Sequence, residues 1–118
     1  MEKEFVTYEQ ALALKELGFD EECLGGYTKT FPYDNECKFY IDDIDCEIQA
    51  PLKQQVFRWF REKYQLISVI VPTKEDKFEW AICSDETLDY IRPRQNKYTY
   101  EEAENACIDK LIELTKTK

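Results

Sequence analysis

Residues 50–64 read APLKQQVFRWFREKY, a basic amphipathic stretch inside an acidic chain. Pro51 suits a first helical position, where its ring presets φ and its missing N–H would have had no partner. Residues 52–64 contain no Gly or Pro and are mostly good helix formers. At about 100° per residue, Leu52, Val56, Phe57, Phe60 and Tyr64 share one broad apolar face. The spacing therefore predicts a helix from Pro51 to Tyr64, with Ala50 as a weak cap. Lys53 and Lys63 fall on the same face, which predicts stems laid on apolar surface and charged heads in water. Trp59 lies at the margin, while Gln54, Arg58, Arg61 and Glu62 point away. Burial of each Val or Phe is worth about 1.5–3 kcal/mol, so this face belongs in the core.

The two ends of the chain carry helix signals of one kind. Thr7 and Gln10 form an N-cap and N3 pair, with Val6 and Ala11 placed as the accompanying apolar staple. Ala11, Leu14 and Leu17 follow on one face, Gly18 is the natural left-handed stop, and Phe19 can fold back on Leu14. Near the other end Thr99 and Glu102 repeat the capping box, with Tyr98 and Ala103 as staple. Ala103, Cys107, Leu111 and Leu114 line a face flanked by Ile108 and Ile112. The shared T-Y-E-x-A text at 7–11 and 99–103 is one start signal used twice.

Between the helices the pattern is extended. Gly25 and Gly26 predict a break, and residues 27–33 an edge strand, since Pro32 is tolerated only at an edge. Residues 34–36 read as a turn and 38–41 as a strand. In residues 44–48, Ile44, Cys46 and Ile48 alternate with Asp45 and Glu47 as a half-buried strand does. After the central helix, residues 66–71 (LISVIV) and 78–83 (FEWAIC) flank a polar turn and predict a β-hairpin, with Phe78, Trp80 and Ile82 on one side. Residues 85–97 read as a polar loop. The expected fold is α+β, a single domain over residues 1–118 in the order α-β-β-β-α-β-β-α, with three helices on an antiparallel sheet.

Composition narrows the functional classes. A chain of 118 residues with 43% hydrophobic and 14% aromatic content is long enough for one core. The sequence shows neither a secretory signal nor an apolar run of membrane-spanning length, which predicts a cytoplasmic protein. Five scattered cysteines without a C-x-x-C pair, and no histidine, read as reduced thiols rather than a zinc site. The net charge of −9 is uneven. Residues 1–50 hold thirteen acidic and four basic side chains, residues 51–64 one acidic and four basic, and residues 65–118 eleven acidic and eight basic. So acidic a chain repels phosphate backbones, which disfavours direct nucleic-acid binding and favours a protein partner with a basic groove.

The Tyr-Glu helix starts, the stretch at 50–64 and the segment TYEEAENACIDKLIEL at 99–114 together resemble a group of small uncharacterised proteins of bacteria, phages and prophages. The resemblance covers both ends and the centre of the chain and weakens over residues 25–49 and 85–97. That group carries no activity to transfer residue by residue; the resemblance implies a phage or mobile-element setting.

Several residue sets invite a chemical reading. Asp42, Asp43, Asp45 and Glu47 form the densest acidic segment and would take a divalent cation if they met in space. The alternation of acids with apolar residues is equally what a solvated strand face requires. A metal-nuclease set of Asp45 with Glu75 and Lys77 fails, because Glu75-Asp76-Lys77 falls in the predicted hairpin turn. Cys107 sits on an apolar helix face where an inert thiol is expected, and no standard base accompanies it. Arg58 and Arg61, one turn apart with Trp59 beside them, are residue types favoured at protein interfaces, though they can equally pair with the chain's own carboxylates.

The expectation is therefore a non-enzymatic, protein-binding module without a cofactor. Its contacts are the acidic face (Asp42, Asp43, Asp45, Glu47) or the central helix (Arg58, Trp59, Arg61). With the resemblance added, its concrete form is a host-defence inhibitor of the anti-CRISPR kind, occupying a basic groove of a nucleic-acid-handling protein. The alternatives are a small metal-dependent enzyme or ligand-binding protein using the acidic strand, and an accessory subunit with no ligand.

Overall fold

The computed structural model describes residues 2–29, 37–41, 48–73, 77–84, 90–92 and 99–116. The fold is α+β and, among the described residues, has three helices and two antiparallel three-stranded sheets where one sheet was expected. The chain gathers into two units, Met1–Lys53 and Gln54–Lys118.

In the first unit, a short 3-10 turn at Glu2–Glu4 leads to α1, Tyr8–Glu16. The predicted capping box is present. The Thr7 backbone N–H donates to the Gln10 side chain at 3.0 Å, and the Gln10 N–H donates to the Thr7 hydroxyl at 3.2 Å. Val6 and Ala11, the predicted staple, are both buried. At the other end Gly18 takes φ 95°, the Phe19 N–H reaches the Leu14 carbonyl and the Gly18 N–H the Lys15 carbonyl. This is the left-handed stop that the glycine predicted, with both bonds of a Schellman motif.

The sheet of this unit departs from the expected layout. Strand β1, Gly25–Lys29, lies between β2, Cys37–Ile41, and β3, Ile48–Ala50. The segment expected at an edge is thus the central strand. Residues 30–33 of the expected strand, Pro32 among them, lie outside the described residues. Gly25 and Gly26 do not break the chain; they are paired and buried within β1. The reason is room. A Cβ at Gly25 would lie 2.7 Å from the ring of Phe39 and 2.8 Å from that of Phe5. Those rings close over the strand with centroids 4.9 Å apart, and Phe39 also meets Tyr27 at 5.3 Å. The buried Tyr27 hydroxyl donates to the Val6 carbonyl at 2.8 Å, tying the strand to the start of α1. The expected turn at 34–36 and the alternation at Ile44 and Cys46 lie outside the described residues; Ile48, its last member, is buried.

Helix α2 spans Lys53–Tyr64, two residues shorter at its start than periodicity predicts. Ala50 is not a cap but a strand residue paired with Gly25. The Pro51 carbonyl accepts from the Val6 N–H at 3.1 Å, and Leu52 forms an isolated bridge with Phe5. Sheet pairing thus holds the chain extended until Lys53. The helix ends at Gln65, which adopts φ 55° and donates through Nε2 to the Glu62 carbonyl. A left-handed stop without glycine leaves no mark in the sequence.

In the second unit, β4, Leu66–Pro72, and β5, Phe78–Ser84, form the predicted hairpin in register from Leu66↔Ser84 to Pro72↔Phe78. The Thr73 N–H donates to the Lys77 carbonyl at 2.7 Å across the turn. A two-residue strand β6, Tyr90–Ile91, adds to β5 inside the stretch read as loop. Two residues are too few for any periodicity to register. Helix α3, Tyr100–Lys116, starts with the predicted Thr99–Glu102 capping box and packs on β4 and β5. Ala103, Cys107, Ile108, Leu111 and Ile112 are buried as expected. Leu114 is only half-buried, and Thr115 takes the last inward position, its hydroxyl donating to the Leu111 and Ile112 carbonyls.

Candidate functional site

The site is built on the outward stripe of α2. Gln54, Phe57, Arg58 and Arg61 recur at i, i+3, i+4 and i+7 and form one wall of a groove of about 360 Å³. Ser68 and Ile70, two apart and so on one face of β4, line it from the sheet. Tyr100, the first residue of α3, contributes a ring braced edge-on against Phe78 at 5.2 Å. Gln54, Arg58, Arg61 and Tyr100 are exposed, so the groove is open to solvent.

Why does α2 turn this stripe outward? Its buried residues are Lys53, Val56, Trp59 and Phe60. The buried face is therefore rotated by roughly 25° toward Trp59 relative to the face expected from hydrophobicity. Two placements change with it. Phe57, expected in the core, is half-buried on the groove wall. Trp59, expected at the margin as a contact residue, is 5% exposed. Its ring packs edge-on against Phe60 at 5.0 Å and Tyr64 at 5.5 Å, with Lys63 Nζ 4.9 Å from the ring centroid. Large flat area outweighs margin position: an indole gains more from burial than a phenyl ring does. Lys53 also departs from expectation, being 3% exposed rather than reaching water. Lys63 keeps its head exposed as predicted.

Of the predicted contact residues, Arg58 and Arg61 come together on one wall and Trp59 does not join them. Arg58 also has an interaction of its own within the chain. Asp42, Asp43, Asp45 and Glu47 lie outside the described residues, as do Glu75 and Asp76. Five members of the groove were not singled out as a site from the sequence: Gln54, Phe57, Ser68, Ile70 and Tyr100. The Gln54–Arg61 spacing was the legible signal for the helical wall; nothing local marks Tyr100.

The surroundings temper the positive charge. Gln54 Nε2 donates to Glu104 Oε2 at 3.4 Å, and Glu104 is 7% exposed. Ser68 shares a side-chain hydrogen bond with Cys107, whose thiol is nonetheless pushed up to about 12 by burial. Burial, with Glu21 adding to it, likewise raises Cys23 to about 11. Both thiols are thus protonated and poor nucleophiles at neutral pH. Trp80, the cross-strand neighbour of Ile70, is buried, and its indole N–H has no acceptor among the described residues. A smaller hollow of about 140 Å³ lies between Ala11, Lys15, Phe19 and Gln49 in the first unit.

The groove offers two kinds of contact. Two guanidinium groups one turn apart offer fork-shaped donors to carboxylates, and Phe57, Ile70 and Tyr100 offer apolar area beside them. Among the described residues, no three His, Cys, Asp or Glu side chains gather as metal ligands would, and no helix is long and apolar enough to cross a membrane. The chain matches no protein-family model, no curated protein and no solved structure.

Proposed function

We propose that this protein is a non-enzymatic binding module that acts by occupying the surface of a protein partner. The observation that carries the reading is the α2–β4 groove, where Arg58 and Arg61 stand exposed beside apolar side chains. Arginine next to aromatic area is the composition of energetically central interface positions. Burial holds the thiols of Cys23 and Cys107 protonated, which counts against nucleophilic chemistry at those two residues.

The acidic first half supports a second contact. With thirteen acidic against four basic residues over 1–50, it is complementary to a basic groove and would speed association with one at low salt. A nucleic-acid-handling partner has such a groove. Together with the phage-type resemblance, this makes a host-directed inhibitor the concrete form of the proposal. The test is affinity capture from a native host followed by mass spectrometry, run with wild type, Arg58→Ala/Arg61→Ala, and a variant neutralised at Asp42, Asp43, Asp45 and Glu47. A partner lost with the arginine pair identifies the groove as the contact; one lost with the acidic set identifies the first half. A partner retained by both variants refutes both surfaces.

A further inference from the structure

Three features of β4 converge on one kind of ligand. The first is its edge. In the order β4-β5-β6, β4 is outermost, and among the described residues it pairs with β5 alone. It is seven residues long and ends in an exposed Pro72, a residue confined in sheets to edges and strand ends. A long edge with one row of backbone N–H and C=O groups unpaired by sheet is a template for another strand.

The second feature is chemical difference between the two faces of that strand. On one face Ser68 and Ile70 look into the groove whose opposite wall carries Arg58 and Arg61. On the other face Ile67 and Val69 are 37% and 41% exposed. An extended segment beside β4 would send alternate side chains to these two faces. Acidic side chains would meet the arginines, and β-branched or aromatic ones would cover Ile67 and Val69.

The third feature is the width of the gap. Helix α2 does not press on β4 as α3 does on β5, and the space between them holds about 360 Å³. That is room for several side chains of a bound segment, with Phe57 and Tyr100 to receive their apolar stems.

We infer that β4 is a strand-addition site, and that its ligand is an extended peptide segment of a partner protein alternating acidic with β-branched or aromatic residues. The inference rests on the binding-module reading and adds the mode of recognition. Main-chain pairing supplies affinity, and alternate side chains supply specificity. A chain of net charge −9 repels an acidic ligand at long range, so the arginine pair is what makes this groove receptive.

The probe is a labelled peptide of strand length alternating Glu and Val, followed by fluorescence anisotropy with the full chain. Three comparators accompany it: two versions N-methylated on one or the other alternate set of amides, and one of the same composition with its acids grouped together. The alternating peptide should bind more tightly than the grouped one, and hydrogen exchange at β4 should slow on binding. Arg58→Gln/Arg61→Gln should weaken binding about tenfold or more, and so should N-methylation of one amide set but not the other. Both substituted arginines are exposed, so loss of the fold is not the expected cause, and circular dichroism checks it.

Equal binding of both N-methylated peptides and the grouped peptide would overturn strand addition in favour of charge alone. Binding of tripolyphosphate with the same arginine dependence, while the peptides fail, would overturn it in favour of a small-anion site. A dimer whose dissociation on dilution is needed before the peptide binds would put a second copy of this chain in the groove instead. Capture of a cellular partner that still depends on Arg58 and Arg61, while all the peptides fail, would overturn strand addition and leave the binding module standing.

Discussion

Replacing Phe60 with Ala is the sharpest test of how α2 is seated. Phe60 is completely buried and, among the described residues, heads the fully buried side chains by volume. Its ring lies 5.0 Å from that of Trp59 and 5.8 Å from that of Tyr64. Truncation of a buried Phe costs about 3–5 kcal/mol through lost transfer energy and the cavity left behind. The adjoining rings also lose an aromatic neighbour, which puts the expected value in the upper part of that range. Small domains hold about 5–15 kcal/mol in total, so the variant should remain folded but lose a large share of its stability. The companion is Phe57→Ala. Hydrophobic periodicity alone puts Phe57 on the same face as Phe60, whereas the structure leaves it half-buried on the groove wall. It should cost about 1–2 kcal/mol, in proportion to the smaller area removed from water. Urea unfolding followed by tryptophan fluorescence and circular dichroism measures both. Equal costs for the two variants, or a Phe60→Ala midpoint matching wild type, would refute the seating of α2 and with it the outward placement of Arg58 and Arg61.

Three further outcomes follow from local geometry. Gly25→Ala should destabilise by about 1–3 kcal/mol, because the added Cβ presses on the rings of Phe5 and Phe39; an unchanged denaturation midpoint would show that those rings move aside freely. Gly18→Ala should cost about 1 kcal/mol in the same assay, since a side chain at φ 95° is strained, and a neutral result would contradict the left-handed stop. Hydrogen bonds from the Thr99 backbone N–H and then its side chain hold Glu102 below the usual carboxylate range. A carboxylate depressed in the folded state stabilises fully above its unfolded value near 4.5 and loses that contribution as pH falls through the lower folded value. Glu102→Gln should therefore flatten the acid limb of α3 helicity measured by circular dichroism, and an unaltered limb would remove the capping box from the account.

What the residues determined by themselves is local. Thr7 with Gln10, Gly18 with Phe19, and Thr99 with Glu102 carry their own hydrogen-bonding partners within one helical turn, and the structure shows each pair as the spacing predicts. The β4–β5 hairpin is legible for the same reason: its two runs lie within a few residues of each other, and a short turn fixes their register. The stripe Gln54, Phe57, Arg58 and Arg61 likewise follows from helical geometry alone.

Tertiary structure decided whatever depends on a residue far away in the chain. Gly25 and Gly26 look like a break until Phe5 and Phe39 close over them, and only then does the absence of a Cβ become a packing requirement of a central strand. Pro51 looks like the first residue of a helix until Val6 and Phe5 claim residues 51 and 52 for extended pairing. Trp59 and Phe57 exchange their expected surroundings because the roll of a helix about its axis is set by the surface it packs on. The groove itself is a product of that roll. Its arginines are written in α2, but Ser68, Ile70 and Tyr100 reach them only through the packing of β4 and α3, and no local pattern specifies a distance between elements.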